Sequence, residues 1–196
     1  MMKKITGIIL AAGTGSRMGT TKQLLPFGAT TLLGQVVQAA KASNLDHVIV
    51  VLGHAAEEIR EKTDLSGIHI AVNRRYAEGQ ATSLITGLAA IDWHCSGAMF
   101  LLADQPLVDR QIINTLLEAW QASERQIMIP YCNGTRGNPV IIDAALFTAL
   151  SEIKGDRGAR ALFDQYPEQI EKIEIHNPAI LTDVDTEAAY HRLLKS

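Results

Sequence analysis

Residues 5–22, ITGIILAAGTGSRMGTTK, join a short apolar run to a glycine-rich loop that carries two cations. The apolar part is rich in β-branched residues, which predicts a buried parallel strand. Gly13 and Gly15 let the backbone turn sharply and bring its N–H groups close to an anion. Arg17 adds a planar guanidinium fork and Lys22 a point charge, two different ways to hold phosphate. The segment therefore predicts a strand that ends at a polyphosphate site.

The spacing of these glycines excludes two common nucleotide-binding motifs. A dinucleotide fingerprint, G-x-G-x-x-G, needs glycine where Met18 stands, and a Walker A loop needs Lys where Thr20 follows Gly19. What remains is L-A-A-G-x-x-x-R-M-G-x-x-K, which argues against a dinucleotide-binding redox module. A loop that only turns the chain is the alternative, and the two cations count against it.

The length and composition of the chain limit the number of domains and the kinds of partner to expect. The 196 residues lie in the single-domain range, so we expect one domain over residues 1–196. Hydrophobic residues make up 47% and charged residues 20%, which is typical of a globular protein. A net charge of −3 gives no general attraction to nucleic acid or to an anionic membrane. We therefore expect a small-molecule ligand and neither of those partners.

The cysteines and the amino terminus bear on localisation. Cys95 and Cys132 form no C-x-x-C pair, so neither a zinc site nor a disulfide framework is indicated. The basic and apolar start resembles a signal peptide, but Thr6 and Gly7 interrupt its short apolar part. Since the chain also has no run of about 18 apolar residues, we expect a cytoplasmic protein that does not span a membrane.

Strand and helix patterns alternate along the chain, which predicts a three-layer α/β domain with a mostly parallel sheet. In the second half the pattern also allows an antiparallel pair. Strands are predicted at 5–12, 48–52, 68–72, 98–103, 127–131, 140–142 and 173–176. Helices are predicted near 32–40, 55–62, 81–91, 110–120, 144–150, 159–165 and 187–194.

Acidic residues occur where a ligand site of such a sheet is expected. Asp104 directly follows a predicted buried strand, and Pro106 forces the chain out of the sheet there. Asp183 and Asp185 are one residue apart, so an extended chain turns both to the same face, and Asp185 is the better candidate to join Asp104. Two carboxylates together with phosphate oxygens suit Mg²⁺. The alternatives are a turn-forming Asp104 and a helix-capping role for the later pair.

Two later segments are candidates for binding a second, anionic substrate. Gly137, Asn138 and Pro139 stand at the start of a predicted strand. Arg157 and Arg160 are three residues apart in a second glycine-rich loop, so one helical face can present both to a phosphate. A solvated helix start is the alternative. No histidine pair has metal-ligand spacing and no G-x-S-x-G motif occurs, so covalent catalysis is not indicated.

Together these motifs resemble the MobA-like nucleotidyltransferase family, and within it the molybdenum cofactor cytidylyltransferases. The resemblance is carried, in order, by LAAGTGSRMG with KQLLPFG, EGQATSL, LLADQPLV, RGNPV, GDRGAR and DVDT. It implies a Rossmann-like nucleotidyltransferase fold. It also implies transfer of CMP from CTP to the terminal phosphate of molybdopterin, with release of pyrophosphate and with Mg²⁺ as cofactor, and it allows transient contact with a molybdenum hydroxylase.

The resemblance assigns roles to particular residues. Arg17, Lys22 and Asp104 would be catalytic, and Asp104 with Asp185 would hold Mg²⁺. The acceptor would bind at the two later segments named above, at Gly137, Asn138, Pro139, Arg157 and Arg160. The nucleotide would contact Leu10, Ala11, Ala12, Gly13, Arg17, Lys22, Gly79, Gln80 and Ser83.

Two positions bear on substrate choice. Guanylyltransferases of the family typically have L-A-G-G, so Ala12 favours CTP, its methyl group narrowing the room for a purine. The family often has histidine where this chain has Asn138, and asparagine cannot carry a charge, which leaves the acceptor open. The alternatives are a nucleotidyltransferase that acts on another phosphorylated acceptor or uses GTP, and a non-catalytic accessory protein of a molybdenum hydroxylase.

Overall fold

The computed structural model describes residues 3–14, 20–91, 94–156 and 158–195. Its centre is a sheet in the order β10-β7-β9-β6-β1-β4-β5, with β8 paired to the last two residues of β7, and β2 and β3 form a separate hairpin. The strands are β1 (Ile5–Ala11), β2 (Pro26–Phe27), β3 (Thr30–Thr31), β4 (His47–Leu52), β5 (His69–Val72), β6 (Gly97–Leu102), β7 (Ile127–Cys132), β8 (Thr135–Arg136), β9 (Val140–Asp143) and β10 (Ile170–Glu174).

Parallel pairing aligns the ends of the strands that build the site. Strand β1 lies between β4 and β6 and is parallel to both, with Leu10 opposite Val51 on one side and Leu102 on the other. Strand β9 is antiparallel to its neighbours β6 and β7. The α/β fold with a mostly parallel sheet is therefore confirmed, and so is an antiparallel element in the second half.

Helices cover both faces of the sheet. They are α1 (Leu32–Lys41), α2 (Ala56–Lys62), α3 (Gln80–Ala89), α4 (Arg110–Ala122), α5 (Phe147–Ser151), α6 (Arg160–Gln165) and α7 (Glu187–Leu193). One apolar cluster includes Leu33 of α1 and Trp120 of α4, and the other includes Leu84 of α3 and Phe163 of α6. Burying these side chains on the two faces stabilises the predicted three-layer arrangement.

Helix starts follow the capping residues. The Asp109 carboxylate accepts from the N–H groups of Gln111 and Ile112 and caps α4, as predicted. The predicted helix at 144–150 begins instead as a 3-10 turn, Ala144–Leu146, because Asp143 caps it at Ala145, and α5 follows.

The last strand lies earlier than predicted, at Ile170–Glu174 rather than 173–176. This strand is at the edge of the sheet and contains Glu171 and Lys172, and charged residues on an edge strand hide the apolar pattern. Its position is set by parallel pairing with β7, which places Ile170 opposite Ile127. Among the described residues, we find no helix with the length and apolar character needed to cross a bilayer.

Candidate active site

A cavity of about 560 Å³ opens at the carboxyl ends of β1 and β6. We call it the Lys22 cavity. It lies at the edge where open α/β sheets bind ligands. Its lining residues come from five parts of the chain: Leu10, Ala12, Gly13, Thr14, Lys22, Gln23, Tyr76, Ala77, Gly79, Gln80, Ser83, Leu102, Ala103, Asp104, Asp156 and Asp185.

One cation joins the two predicted carboxylates. Lys22 Nζ lies 2.7 Å from Asp104 Oδ2 and 2.8 Å from Asp185 Oδ1. Lys22 and Asp104 are mostly buried, with 17% and 20% of their side chains exposed, and Asp185 is 46% exposed. Three residues that are up to 163 positions apart in sequence thus share one charge cluster.

Backbone contacts bring the two aspartates together. The Val184 N–H donates to the Asp104 carbonyl oxygen at 3.0 Å, and Val184 is buried against Leu32. The hydroxyl of Thr186 caps α7 by accepting from Ala189 N–H. Neither Asp183 nor Asp185 therefore caps α7, and the capping alternative for this pair is wrong.

The charge cluster shifts two pKa values. Burial alone would lower the pKa of Lys22, but the charges and hydrogen bonds of Asp104 and Asp185 outweigh it, so the net pKa is raised. Burial, together with the negative charges of Asp185 and Asp104, raises the pKa of Asp183. Lys22 is accordingly a permanent cation at neutral pH, and the ionised form of Asp183 is disfavoured by folding.

We expect Asp183→Asn to raise the melting temperature at neutral pH. The raised pKa means that ionised Asp183 destabilises the folded state above that pKa. The gain should vanish as pH falls below about 3.8, the ordinary value, where wild-type Asp183 is neutral in both states. Melting temperatures of both proteins between pH 3 and pH 8 measure this.

Asp64→Asn is the matched control for that measurement. Hydrogen bonds from Ser66 lower the pKa of exposed Asp64, so its ionised form stabilises the fold and its replacement should lower the melting temperature at neutral pH. A melting temperature of Asp183→Asn at or below that of wild type at pH 7 would contradict the electrostatic interpretation of Asp183.

The carboxylates suit a divalent cation. Asp104 Oδ1 is buried and has no hydrogen-bond partner among the described residues, which is costly unless another ligand supplies one. Mg²⁺ prefers carboxylate oxygens and commonly binds only one or two of them, with phosphate oxygens and water completing its shell. No group of three or more His, Cys, Asp or Glu side chains with metal-binding geometry occurs within the described residues. Asp104 and Asp185 fit this donor set.

Ala12 belongs to the part of the Lys22 cavity wall that includes Tyr76. Ala12 is only 3% exposed and packs in the same apolar cluster as Tyr76. Gly53 separates them, since a Cβ there would lie 2.8 Å from Ala12 Cβ and 2.7 Å from Tyr76 Cβ. His54 packs edge-on against Tyr76, with ring centroids 5.8 Å apart. Hence the volume of residue 12 affects how Tyr76 borders the cavity.

The start of α3 is built from two segments. Gly79 has φ of +110°, and a Cβ there would lie 2.7 Å from Asp156 Oδ1, so the turn requires glycine. Gln80 N–H donates to that same oxygen at 3.2 Å. Buried Asn73 donates to Ser83 Oγ at 2.9 Å, which leaves the Ser83 proton available to a ligand. Asp156 thus shapes the part of the cavity wall that contains Gly79 and Gln80.

A second cavity, of about 440 Å³, adjoins the first and shares Leu10, Gln80, Leu102 and Asp156 with it. We call it the Arg160 cavity. Its polar lining includes Arg136, Asn138, Arg160 and Asp164, with Gly137 beside them. The Arg136 guanidinium lies 5.1 Å from the centre of the Phe163 ring, a cation–π contact that orients it. The two cavities form one continuous cleft.

Several predicted site residues are placed differently. Ala11 and Pro139 are buried and line neither cavity. Ala11 packs in the apolar cluster of Leu33 and Trp120, whereas its neighbour Leu10 packs against the other cluster. Arg160 is the first residue of α6 and lines the second cavity, whereas the helical face predicted to include Arg157 as well falls partly outside the described residues. Arg17 and Arg157 themselves lie outside the described residues.

The cleft also contains residues that sequence reasoning missed. Gln23, Tyr76 and Asp156 line the Lys22 cavity, and Arg136 lines the Arg160 cavity. Gln23, Arg136 and Asp156 directly adjoin predicted site residues and were detectable as neighbours. Tyr76 carried no comparable signal, because its place depends on packing between distant segments.

Similarity to known proteins identifies the family of this chain. The family model described as the MobA-like NTP transferase domain matches residues 7–170. The chain belongs to the MobA-like NTP transferase family. Membership confirms the resemblance drawn from the motifs and makes this a nucleotidyltransferase of the MobA-like type. The match spans both the glycine-rich strand end and the strand that leads to Asp104.

Two curated relatives of this MobA-like protein cover nearly its whole length. Nicotine blue oxidoreductase of Paenarthrobacter nicotinovorans is 31% identical, covering 97% of this chain and 96% of its own. Molybdenum cofactor cytidylyltransferase of Escherichia coli K12 is 30% identical, covering 94% of this chain and 93% of its own. Relatives of similar identity thus carry two different activity names.

Solved structures of a MobA-like relative agree with the fold. Rv0371c of Mycobacterium tuberculosis H37Rv is 32% identical with a TM-score of 0.91, and the match covers 100% of both chains. A second structure of that protein, a complex with manganese, is 30% identical with a TM-score of 0.85 over 100% of both chains. The Rossmann-like nucleotidyltransferase fold is confirmed, and one relative has been solved with a divalent metal.

Proposed function

We propose that this protein transfers CMP from CTP to the terminal phosphate of molybdopterin. The observation that carries this proposal is the contact of Lys22 with both Asp104 and Asp185 beside the end of β1. A cation and two carboxylates at that edge suit a triphosphate with its metal. The full-length relative named as a molybdenum cofactor cytidylyltransferase supports the choice of substrates.

The reaction needs little covalent chemistry from the protein. A terminal phosphate oxygen of the acceptor attacks the α-phosphorus of CTP, and the bond from that phosphorus to the bridging oxygen of the β-phosphate breaks. Pyrophosphate leaves with the bonding electron pair. Because the attacking phosphate is already an anion, no protein base has to remove a proton. Positioning and charge neutralisation then account for most of the rate.

Each of the two cavities binds one of the two substrates. The Lys22 cavity takes CTP, with Lys22 and Arg17 on the triphosphate and with Leu10, Ala12, Gly13, Gly79, Gln80 and Ser83 around the rest of the nucleotide. The Arg160 cavity takes the acceptor, with Gly137 and Asn138 beside the arginine. Because the cavities share Leu10 and Gln80, the acceptor phosphate can reach the α-phosphorus without leaving the cleft.

Asp104 and Asp185 would hold the metal, which we propose to be Mg²⁺. When bound, a divalent cation neutralises charge on the phosphate oxygens. The buried Oδ1 of Asp104 supports this assignment, since the atom otherwise has no partner among the described residues. Lys22 would then take up charge on the pyrophosphate as it leaves.

A nucleotide and acceptor screen tests the proposal. With Mg²⁺ and molybdopterin, pyrophosphate release from CTP should be much faster than from GTP or ATP. Because Ala12 lines the Lys22 cavity, Ala12→Gly should widen the cavity there and raise the rate with GTP relative to CTP. The ratio of the two rates corrects for any change in stability. Equal wild-type rates with CTP and GTP would contradict the role of Ala12.

The same screen separates the alternatives. If pyrophosphate is released only with another phosphorylated acceptor, that acceptor and not molybdopterin is the substrate. If no nucleotide gives pyrophosphate, the result favours a non-catalytic accessory protein. The relative named as nicotine blue oxidoreductase makes redox activity a further alternative. A redox reaction releases no pyrophosphate, so the assay excludes it if pyrophosphate appears.

The domain organisation, localisation and partners of the enzyme are also part of the proposal. We propose that residues 1–196 act as one nucleotidyltransferase domain in the cytoplasm, where CTP is available. The product is a dinucleotide form of the cofactor, so transient contact with the molybdenum hydroxylase that receives it is part of the proposal. Neither nucleic acid nor a membrane is needed as a partner.

A further inference from the structure

The side chain of Gln23 is buried beside the glycine-rich turn. It is only 4% exposed, and its Nε2 donates to the carbonyl oxygens of Ala11 and Gly13, both at 2.9 Å. Both acceptors are carbonyls, so the orientation of the amide group is determined. The Oε1 atom is buried and has no partner among the described residues. A buried acceptor without a partner is costly, which indicates that this glutamine serves through its two donated hydrogen bonds.

These bonds belong to a set that fixes three consecutive peptide groups. The carbonyl oxygen of Ala12, between the two that Gln23 holds, accepts from His54 N–H at 3.2 Å. In a planar trans peptide the N–H points away from the carbonyl. Holding the carbonyls of residues 11–13 therefore turns the N–H groups of Ala12 and Thr14 away from Gln23 and the N–H group of Gly13 away from His54.

Those N–H groups belong to residues that line the Lys22 cavity. Within the described part of the chain, neither Gly13 N–H nor Thr14 N–H has a protein acceptor. N–H groups that successive residues of a turn present can form an anion-binding concavity. Gln23 also directly follows Lys22, so its bonds tie the segment that carries the cation to the end of β1.

We infer that Gln23 is a positioning residue for triphosphate binding. It holds the turn at residues 11–14 with its N–H groups toward the phosphates and fixes Lys22 beside them. This inference rests on the proposed function, since it assumes that the Lys22 cavity binds a nucleoside triphosphate. Gln23 touches no substrate in this role and acts through the backbone of the turn.

Gln23→Met tests the inference, because methionine keeps the length and volume but donates no hydrogen bond. We expect the variant to lose about tenfold or more in affinity for CTP, while its affinity for cytidine, which lacks phosphates, stays within about twofold. Isothermal titration calorimetry measures both. A purely structural defect would weaken both ligands alike, so the split is the deciding observation.

Gln38→Met is the matched control. Gln38 is an exposed residue of α1 and lines a separate cavity that shares no residue with the Lys22 cavity. Its affinities for CTP and cytidine should equal those of wild type. Equal loss of CTP and cytidine affinity in Gln23→Met, or no loss of CTP affinity, would overturn the inference. A wild-type protein that binds no nucleoside triphosphate would overturn the proposed function and, with it, this inference.

A measurement on the wild-type protein covers the case in which Gln23→Met does not fold. Addition of CTP should shift the amide NMR signals of Gly13 and Thr14 and slow their hydrogen exchange, whereas cytidine should leave their exchange unchanged. CTP binding without slower exchange at these two amides would overturn the inference while leaving the proposed function standing.

Discussion

Asp104→Asn should abolish nucleotidyl transfer while leaving the fold intact. The variant keeps the shape of the side chain but removes the charge that Lys22 contacts at 2.7 Å. Because its one oxygen faces the Lys22 cation, an NH₂ group replaces the buried oxygen assigned to the metal. Loss of preorganised charge stabilisation typically costs about 10²–10³ in kcat, and here two functions are lost together, so we expect a decrease of about 10³-fold or more. Pyrophosphate release from CTP measures it.

Asp143→Asn is the matched control for Asp104→Asn. Asp143 pairs with Gly97 at the amino end of β6, opposite to the end that leads to Asp104, and asparagine caps a turn about as well as aspartate. This variant should keep wild-type rates. Normal turnover by Asp104→Asn, with its fold verified by circular dichroism, would remove Asp104 from the catalytic machinery.

Lys22→Met should have opposite effects on transfer and on metal binding. Removing the cation from the triphosphate should lower kcat by about 10²–10³-fold, because charge on the leaving pyrophosphate is no longer neutralised. In the protein without nucleotide, however, Lys22 occupies both carboxylates, at 2.7 Å and 2.8 Å. A free divalent cation must compete with it, so the variant should bind Mn²⁺ about tenfold more tightly.

Titration of the nucleotide-free protein with Mn²⁺, followed by electron paramagnetic resonance, tests the second effect without any turnover. Lys41→Met is the control, since Lys41 contacts the Ser66 carbonyl at an exposed position and should change neither quantity. Unchanged or weaker Mn²⁺ binding by Lys22→Met would show that Lys22 does not compete with metal at Asp104 and Asp185. Unchanged kcat would separately remove Lys22 from the reaction.

Local patterns in the sequence were sufficient for the strand and helix layers. β-branched runs marked β1 and β4, an apolar run marked β6, and Asp109 marked the start of α4, because burial and capping act over a few neighbouring residues. Local patterns failed where tertiary pairing sets the boundary. The edge strand β10 is placed by its register with β7, and its charged residues gave no apolar pattern.

For the site, the sequence alone identified the chemistry of its members: glycines at a strand end, Lys22, and two separate acidic segments. Only the tertiary structure decided that they meet. The Val184 N–H must reach the Asp104 carbonyl before Asp185 can lie beside Lys22, and that contact joins segments 80 positions apart. The positioning of the glycine-rich turn by Gln23 and His54 is likewise decided by packing, because a hydrogen bond depends on distance in space and not on spacing in sequence.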